Sequence, residues 1–221
     1  MWWNACEWGS HERILAKQPE PDNRRLSRED WINGAVAYLT QHSVGTLRLD
    51  SLVKQMGVTK GSFYWHFASR EKLLDAVLGS WQTRMIRDVE VWLESAAGSP
   101  ADRVRRLLRI GISARPDVPG GPFELSLRDW ARRDARVAKI VMSVDAERLR
   151  IVKNLYLEMG LAADQAEAQA LLHMTFVVGG RMMLFDGSRS TVERRLKIAE
   201  RFLVPTAADV KPAIKKSKVP P

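Results

Sequence analysis

The stretch LRLDSLVKQMGVTKGSFYWHF, Leu47 to Phe67, reads as two short helices around a glycine-containing turn. Leu49, Leu52, Val53 and Met56 set apolar groups three or four residues apart, one face of a very short helix. Gly57 follows where a helix readily ends in the left-handed conformation, which a residue without Cβ adopts at no steric cost. Thr59 then offers a hydroxyl to cap a third helix, expected to run through Phe67. A turn of this length sets the two helices at a steep angle, so that one crosses a DNA backbone while the other enters the major groove. Val58 is expected to point into the core, as are Phe63 and Phe67, four apart on one helical face. Thr59, Lys60, Ser62, Tyr64, Trp65 and His66 are left to form a reading surface. Their hydroxyl, ammonium, indole and imidazole groups are the donors and apolar edges that bases and phosphates require. Gly61 lets the helix backbone approach a duplex closely, against a cost of about 1 kcal/mol for glycine inside a helix.

The flanks extend the helical pattern. Upstream, Ser27 with Asp30 is a capping-box variant, and Trp31, Ala35, Val36 and Leu39 line one face of a first helix ending near His42. Downstream, Ser69 is expected to cap a fourth helix running unbroken to about Ala97, because Leu73, Leu74, Val77, Leu78, Trp81, Met85, Val89 and Trp92 keep the three-or-four spacing. A helix that long exceeds what a small head needs and reads as a link between two domains. Ser99-Pro100 with Asp102 starts another helix, to about Ala114, and Arg115 to Pro122 is a loop. Further helices are expected at about 123–133, 135–159, 164–185 and 191–203, with Asp164 and Ser190 as caps of the last two and Gly160 as a stop. No hairpin pattern interrupts the series. The expected fold is all-α, with a three-helix helix-turn-helix head and a helical body. Residues 1–24 form an extension, 25–70 the head, 71–204 the body and 205–221 a tail rich in Pro and Lys.

At residues 47–73 the chain resembles the TetR/AcrR family of bacterial regulators. The family's Gly-Val-Ser-Lys-Gly-Thr-Leu-Tyr-x-x-Phe, then Ser-Lys-Glu-x-Leu, is matched by Gly57, Val58, Thr59, Lys60, Gly61, Ser62, Phe63, Tyr64 and Phe67, then Ser69, Arg70, Glu71 and Leu73. Val53 stands at the family's alanine-like position, and the similarity covers about residues 27–78. The resemblance implies that Thr59, Lys60, Ser62, Trp65 and His66 face DNA and that Tyr64 meets a phosphate or a base edge. It also implies that Arg70 replaces the usual phosphate-binding Lys at the start of the fourth helix. Two positions depart from the pattern. Arg48 stands where the family commonly has Thr and reads as an added phosphate contact; Asp50 stands where an Arg or similar residue is common and reads as a charge at a helix N-terminus.

Beyond Leu78 the resemblance implies architecture alone: a helical body that binds a small-molecule effector and forms a dimer. Dimerisation also follows from DNA geometry, since two recognition helices must meet successive major-groove faces about 34 Å apart. Helices 164–185 and 191–203 are the expected homodimer interface, because Leu171, Leu172, Met174, Phe176, Val177, Val178, Met182, Met183 and Leu184 make more apolar surface than one core face requires. Gly179-Gly180 permits close approach of a partner helix or, equally, an internal packing contact. Trp81, Met85, Phe123, Trp130 and Phe176 are candidate walls of an effector pocket and His173 a candidate polar anchor, although each also suits ordinary core. The functional expectation is a sequence-specific regulator, a repressor by the family's default, on a palindromic DNA operator; no cofactor and no metal are expected.

Composition agrees with a polyanionic partner: 35 Lys and Arg against 26 Asp and Glu give a formal net charge of +9, part of it from Lys211, Lys215, Lys216 and Lys218 in the tail. The alternative, a non-specific DNA-binding or membrane-surface basic protein, would need cations along whole helix faces. The body instead alternates Arg105, Arg106 and Arg109 with Glu124, Asp129, Asp134 and Glu147. An enzyme lacks an anchor, as the histidines show no HExxH spacing and there is no GxSxG or Walker loop. The single Cys6 allows no intrachain disulfide and no cysteine metal cluster. The first residues do not have the layout of a signal peptide, and Ala170 to Phe185, interrupted by His173 and Arg181, falls short of the roughly 20 apolar residues of a membrane span. A cytoplasmic location is expected.

Overall fold

Residues 26–95, 98–112, 121–182 and 188–206 are described by a computed structural model, and among them every regular element is helical. The 1–24 extension, with Cys6 and its tryptophans, and all but the first two residues of the 205–221 tail lie outside the described residues. Helix α1 (Arg28–Gln41) opens on the reciprocal cap read from the sequence: Asp30 N–H donates to Ser27 Oγ at 3.2 Å, and Ser27 N–H donates to the Asp30 carboxylate at 2.7 Å. One 3-10 turn, Val44–Thr46, leads to α2 (Leu49–Met56), which stops at Gly57 in the left-handed region with φ 67°. Helix α3 (Lys60–Tyr64) is capped by Thr59 and is shorter than expected, ending in a turn before Phe67.

The long fourth helix departs from its reading. It consists of α4 (Arg70–Thr83), a π-helical segment Arg84–Asp88, and α5 (Val89–Ser95). Within the π segment Arg84 reaches back to Glu29 of α1 at 2.5 Å while Met85 and Ile86 pack on the core. Tertiary partners on two sides thus accompany the widened turn, whereas apolar spacing alone is compatible with either helix type. Helices α6 (Pro100–Ile112), α7 (Gly121–Ala131), α8 (Ala135–Glu158), α9 (Ala163–Met182) and α10 (Arg189–Leu203) follow. Two caps shift. Ser188, not Ser190, caps α10 by accepting from Thr191 N–H, and Asp164 lies inside α9, whose start is closed by Gln165 Oε1 accepting from Ala162 N–H at 3.3 Å. Alternate serines and neighbouring polar residues offer equivalent cap spacings, and packing selects among them.

Two apolar clusters hold the helices. The first joins Trp31, Leu39, Leu52, Phe63, Phe67 and Leu73 of the head to Trp81, Phe123, Leu127, Val137 and Val144, so the core runs from the head into α7 and α8 without a break at residue 70. The second gathers Val104, Leu108, Val152, Tyr156, Ala170, Leu196 and Leu203 from α6, α8, α9 and α10. Helices α4 and α8 lie side by side in the same direction, since Arg136 meets Asp75 at 2.6 Å and Ser143 meets Gln82 at 3.2 Å. At the seam, buried Glu124 accepts from Arg128 at 2.7 Å and Arg148 at 2.9 Å, and Arg128 also grips Asp145 through two nitrogens. The Asp145 hydrogen bonds, with those of Glu124, hold Arg128 firmly protonated. Replacing one member would leave a buried charge uncompensated.

Candidate nucleic-acid interface

The reading surface rests on an aromatic floor. Trp31 of α1 meets the edge of Phe63 at 5.3 Å, and Phe63 stacks on Phe67 at 5.7 Å, so the two phenylalanines are buried as their spacing predicts. With Phe63 fixed inward, helical rotation turns Gly61, Tyr64 and Trp65 away from it, while Lys60, one turn before Phe63, reaches aside to Asp50. All four are exposed, Tyr64 at 60 % and Trp65 at 76 %, the latter very high for an indole. Thr59 is exposed as well, with its hydroxyl used as the cap of α3 by accepting from Ser62 N–H at 3.4 Å, and Ser62 and His66 are half-buried at the rim. At Gly61 an added Cβ would meet nothing closer than Thr59 Oγ1 at 3.7 Å, so the chain itself does not require glycine there.

Arg48 and Asp50 frame the surface from α2. Arg48 is exposed at the N-cap and makes no side-chain capping bond. Asp50 reaches across the turn to Lys60, with Oδ1 2.5 Å from Nζ, and this hydrogen bond and charge raise the lysine pKa above its ordinary value. Helical spacing could not reveal that pair, because it joins two different helices. Arg28 was likewise missed; its guanidinium lies over the Phe67 ring at 5.0 Å.

Arg70 stands differently from the expectation drawn from resemblance. Its Nε donates to the Leu47 carbonyl and its Nη2 to the Val44 carbonyl, both at 2.6 Å, and Nη1 lies 3.7 Å from Glu71. The guanidinium therefore ties the start of α4 to the turn that precedes α2, and two of its three nitrogens are committed to backbone.

The six effector-pocket candidates do not converge. Trp81, Met85, Phe123 and Trp130 belong to the first cluster, with Trp81 and Phe123 fully packed. His173 is buried on α9 against the Tyr156 ring, and Phe176 packs beside the second cluster. Chemistry suited to a pocket wall is the same chemistry that fills a core, which is why the sequence could not separate them. Burial lowers the His173 pKa to about 4, so the ring is neutral, and its Nδ1 has no hydrogen-bond partner among the described residues. Phe176 also lines a groove of about 440 Å³ between α9 and α10, walled by Leu172, Ile198 and Phe202. Among the described residues no cluster of His, Cys, Asp and Glu could hold a metal, and no helix is long and apolar enough to cross a membrane.

Comparison with known proteins places this geometry. Residues 32–77 match the family model for bacterial regulatory proteins, tetR family. The chain is 36% identical over 70 residues to the HTH-type transcriptional regulator SrpR of Pseudomonas putida, a match covering 32% of this chain and 30% of that relative. It is 26% identical over 96 residues, 42% of each chain, to a protein of Escherichia coli K12 described as a probable acrEF/envCD operon repressor. The matched segments thus span less than half the length of these relatives. A transcriptional regulator from Rhodococcus sp. Rha1 shares the fold over 85% of this chain and 100% of its own, with a TM-score of 0.65 at 16% identity.

Proposed function

We propose that this chain, whose residues 32–77 match the family model for bacterial regulatory proteins, tetR family, is a sequence-specific DNA-binding transcriptional regulator. It acts as a homodimer on a near-palindromic operator, represses there, and is released by a small-molecule effector bound in the body. The observation that carries the reading is the exposed surface at α3: Lys60, Tyr64 and Trp65 stand out to solvent over a floor locked by Trp31, Phe63 and Phe67. A rigid floor under exposed donors and aromatic edges suits groove reading, because side chains held in place lose little freedom on binding. Arg48 supplies phosphate affinity beside them, and Thr59, Gly61, Ser62 and His66 complete the contact surface.

Dimerisation is supported by apolar surface on the last two helices. Leu171, Leu172, Met182, Ile198 and Phe202 are all exposed in the single chain, and Phe202 is 74 % exposed. Leu172, Ile198 and Phe202 line one apolar groove, the kind of surface that a partner subunit covers. Regulation follows from the linkage of α4 to the head: a shift of α4 carries Arg70, and Arg70 carries the Val44–Leu47 turn and α2 with it. An effector that favours a different α4 position would change the spacing of the two reading helices and weaken operator binding.

The test is fluorescence-anisotropy titration of the purified protein with the DNA flanking its own gene, beside a scrambled duplex at physiological salt. Binding of the native duplex in the tens of nanomolar range, several orders tighter than the scramble, is the expected result. Equal and salt-sensitive affinity for both duplexes would favour a non-specific basic protein. Sedimentation of a monomer that still binds the duplex tightly would overturn the dimer.

A further inference from the structure

We infer that the corner between α7 and α8 is a second, sequence-independent DNA contact, with Arg132 and Lys139 meeting backbone phosphates that the reading head does not reach. The inference rests on the DNA-binding reading above, and it concerns a part of the body to which that reading gives no role.

Placement comes first. Arg136, in the first turn of α8, meets Asp75 of α4 at 2.6 Å, and Asp75 lies five residues beyond Arg70, about 8 Å along the helix at 1.5 Å per residue. Arg70 in turn is bonded to the carbonyls of Val44 and Leu47, one residue before Arg48. On the other side, Ser126 Oγ of α7 donates to the Leu39 carbonyl near the end of α1 at 2.6 Å. Because α4 and α8 run in the same direction, the corner at 132–134 projects from the end of the body that carries the head. The opposite end of α8 is marked by Glu158, which meets Arg103 of α6 at 2.5 Å.

Charge comes second. Between 129 and 139 the chain carries Arg132, Arg133, Arg136 and Lys139 against Asp129 and Asp134, and all four cations are exposed. Arg133 pairs with Asp129, and Arg136 with Asp75 and Asp134. Arg132 and Lys139 have no carboxylate partner among the described residues, as is also true of Arg106 on α6, whereas Arg103, Arg105 and Arg109 of α6 are paired. Lys72, exposed on the first turn of α4 beside Asp75, adds a third cation to the same side. Two unpaired cations next to a groove-reading head complement a polyanion, and a phosphate contact of this kind adds affinity without sequence information.

The experiment compares the full chain with Arg132→Ala/Lys139→Ala and with a control of equal charge change, Arg105→Ala/Arg106→Ala on α6. Each is titrated with a random-sequence duplex long enough for two half-sites, across roughly 50 to 200 mM salt. The corner variant should flatten the plot of log affinity against log salt by about 2 per protomer, at unchanged thermal stability, because each phosphate contact contributes a slope of about 0.9. The α6 control should leave the slope unaltered. An unchanged slope in the corner variant, or equal losses in both, overturns the inference. A charge-reversing Lys139→Glu should steepen the loss if the corner faces phosphate. The operator-against-scramble ratio, measured in the same titrations, tests the regulatory reading independently: its absence with a flattened corner slope would remove sequence specificity and keep the phosphate contact. Failure of the wild-type chain to bind any duplex would remove both.

Discussion

Replacing Arg70 separates two roles that one cation could play. In the structure its Nε and Nη2 each donate a short bond to a main-chain carbonyl, of Leu47 and Val44, while the side chain is 33% exposed. Hydrogen bonds from a charged donor contribute about 1.5–3 kcal/mol each, and partial exposure favours the low end, so Arg70→Ala should cost about 3 kcal/mol. At about 2–4 °C per kcal/mol for a chain of this size, the melting midpoint should fall by about 6–12 °C. Arg70→Lys sharpens the test. Lysine keeps the charge and could serve a phosphate, yet it lacks the planar fork that bonds two carbonyls at once, so it should recover little stability. Thermal and urea melts of both variants read the stability, and salt titration of duplex binding reads the phosphate contact. Should both variants melt with the wild type while Arg70→Ala flattens the salt slope by about 1, Arg70 would be a phosphate ligand and the argument from carbonyl bonding would be wrong.

Other expectations follow from the same geometry. Lys60→Ala and Tyr64→Ala should each weaken binding to the native duplex, Tyr64→Ala by about 5- to 150-fold if the ring meets a base edge, with unchanged circular dichroism; retained affinity in both would mean that the other face of α3 reads DNA. Asp50→Asn should tighten binding to scrambled DNA and lower the operator-to-scramble ratio in anisotropy titrations, because it frees Lys60 and removes a carboxylate from the proposed DNA-facing surface. His173 is pushed down to about 4 by burial, so the folded chain resists protonation that the unfolded chain accepts at its ordinary value near 6.5. Its contribution is fully present above about pH 6.5 and is lost as pH falls toward 4, an acid limb of order 3 kcal/mol that His173→Gln should flatten in pH-dependent urea melts. Phe202→Glu should shift sedimentation from dimer to monomer and abolish operator binding with it, since Phe202 is exposed and walls the apolar groove between α9 and α10.

What could be read in advance was what is local in the chain. The Ser27–Asp30 box, the Gly57 stop and the Thr59 cap each depend on a few consecutive residues, and all three stand where they were expected. The burial of Phe63 and Phe67 was legible for the same reason, as a spacing of four, although the helix ends at Tyr64 and a turn carries Phe67 inward. The π segment was not, because its residues answer to partners on α1 and in the core. Asp50 and Lys60 are ten residues apart on helices that cross, and their pairing exists only once the turn has set the angle.

Arg70 shows that a residue type carried over by resemblance comes with contacts that the resemblance does not supply. The family resemblance puts a phosphate-binding cation at the start of α4, so a phosphate contact was the expectation there. The carbonyls of Val44 and Leu47 lie 26 and 23 residues earlier, and nothing in the sequence marks them as acceptors. Their orientation comes from a single 3-10 turn that ends before α2 begins. An arginine fork can hold two such acceptors where a lysine holds one, so the exchange of lysine for arginine at this position changes the site from a point charge into a clasp. Any force that moves α4 is then transmitted to the α2 N-terminus through hydrogen bonds as well as through the shared apolar core. Weakening that clasp should leave the reading surface chemically intact and loosen its position, so operator discrimination should suffer before non-specific affinity does.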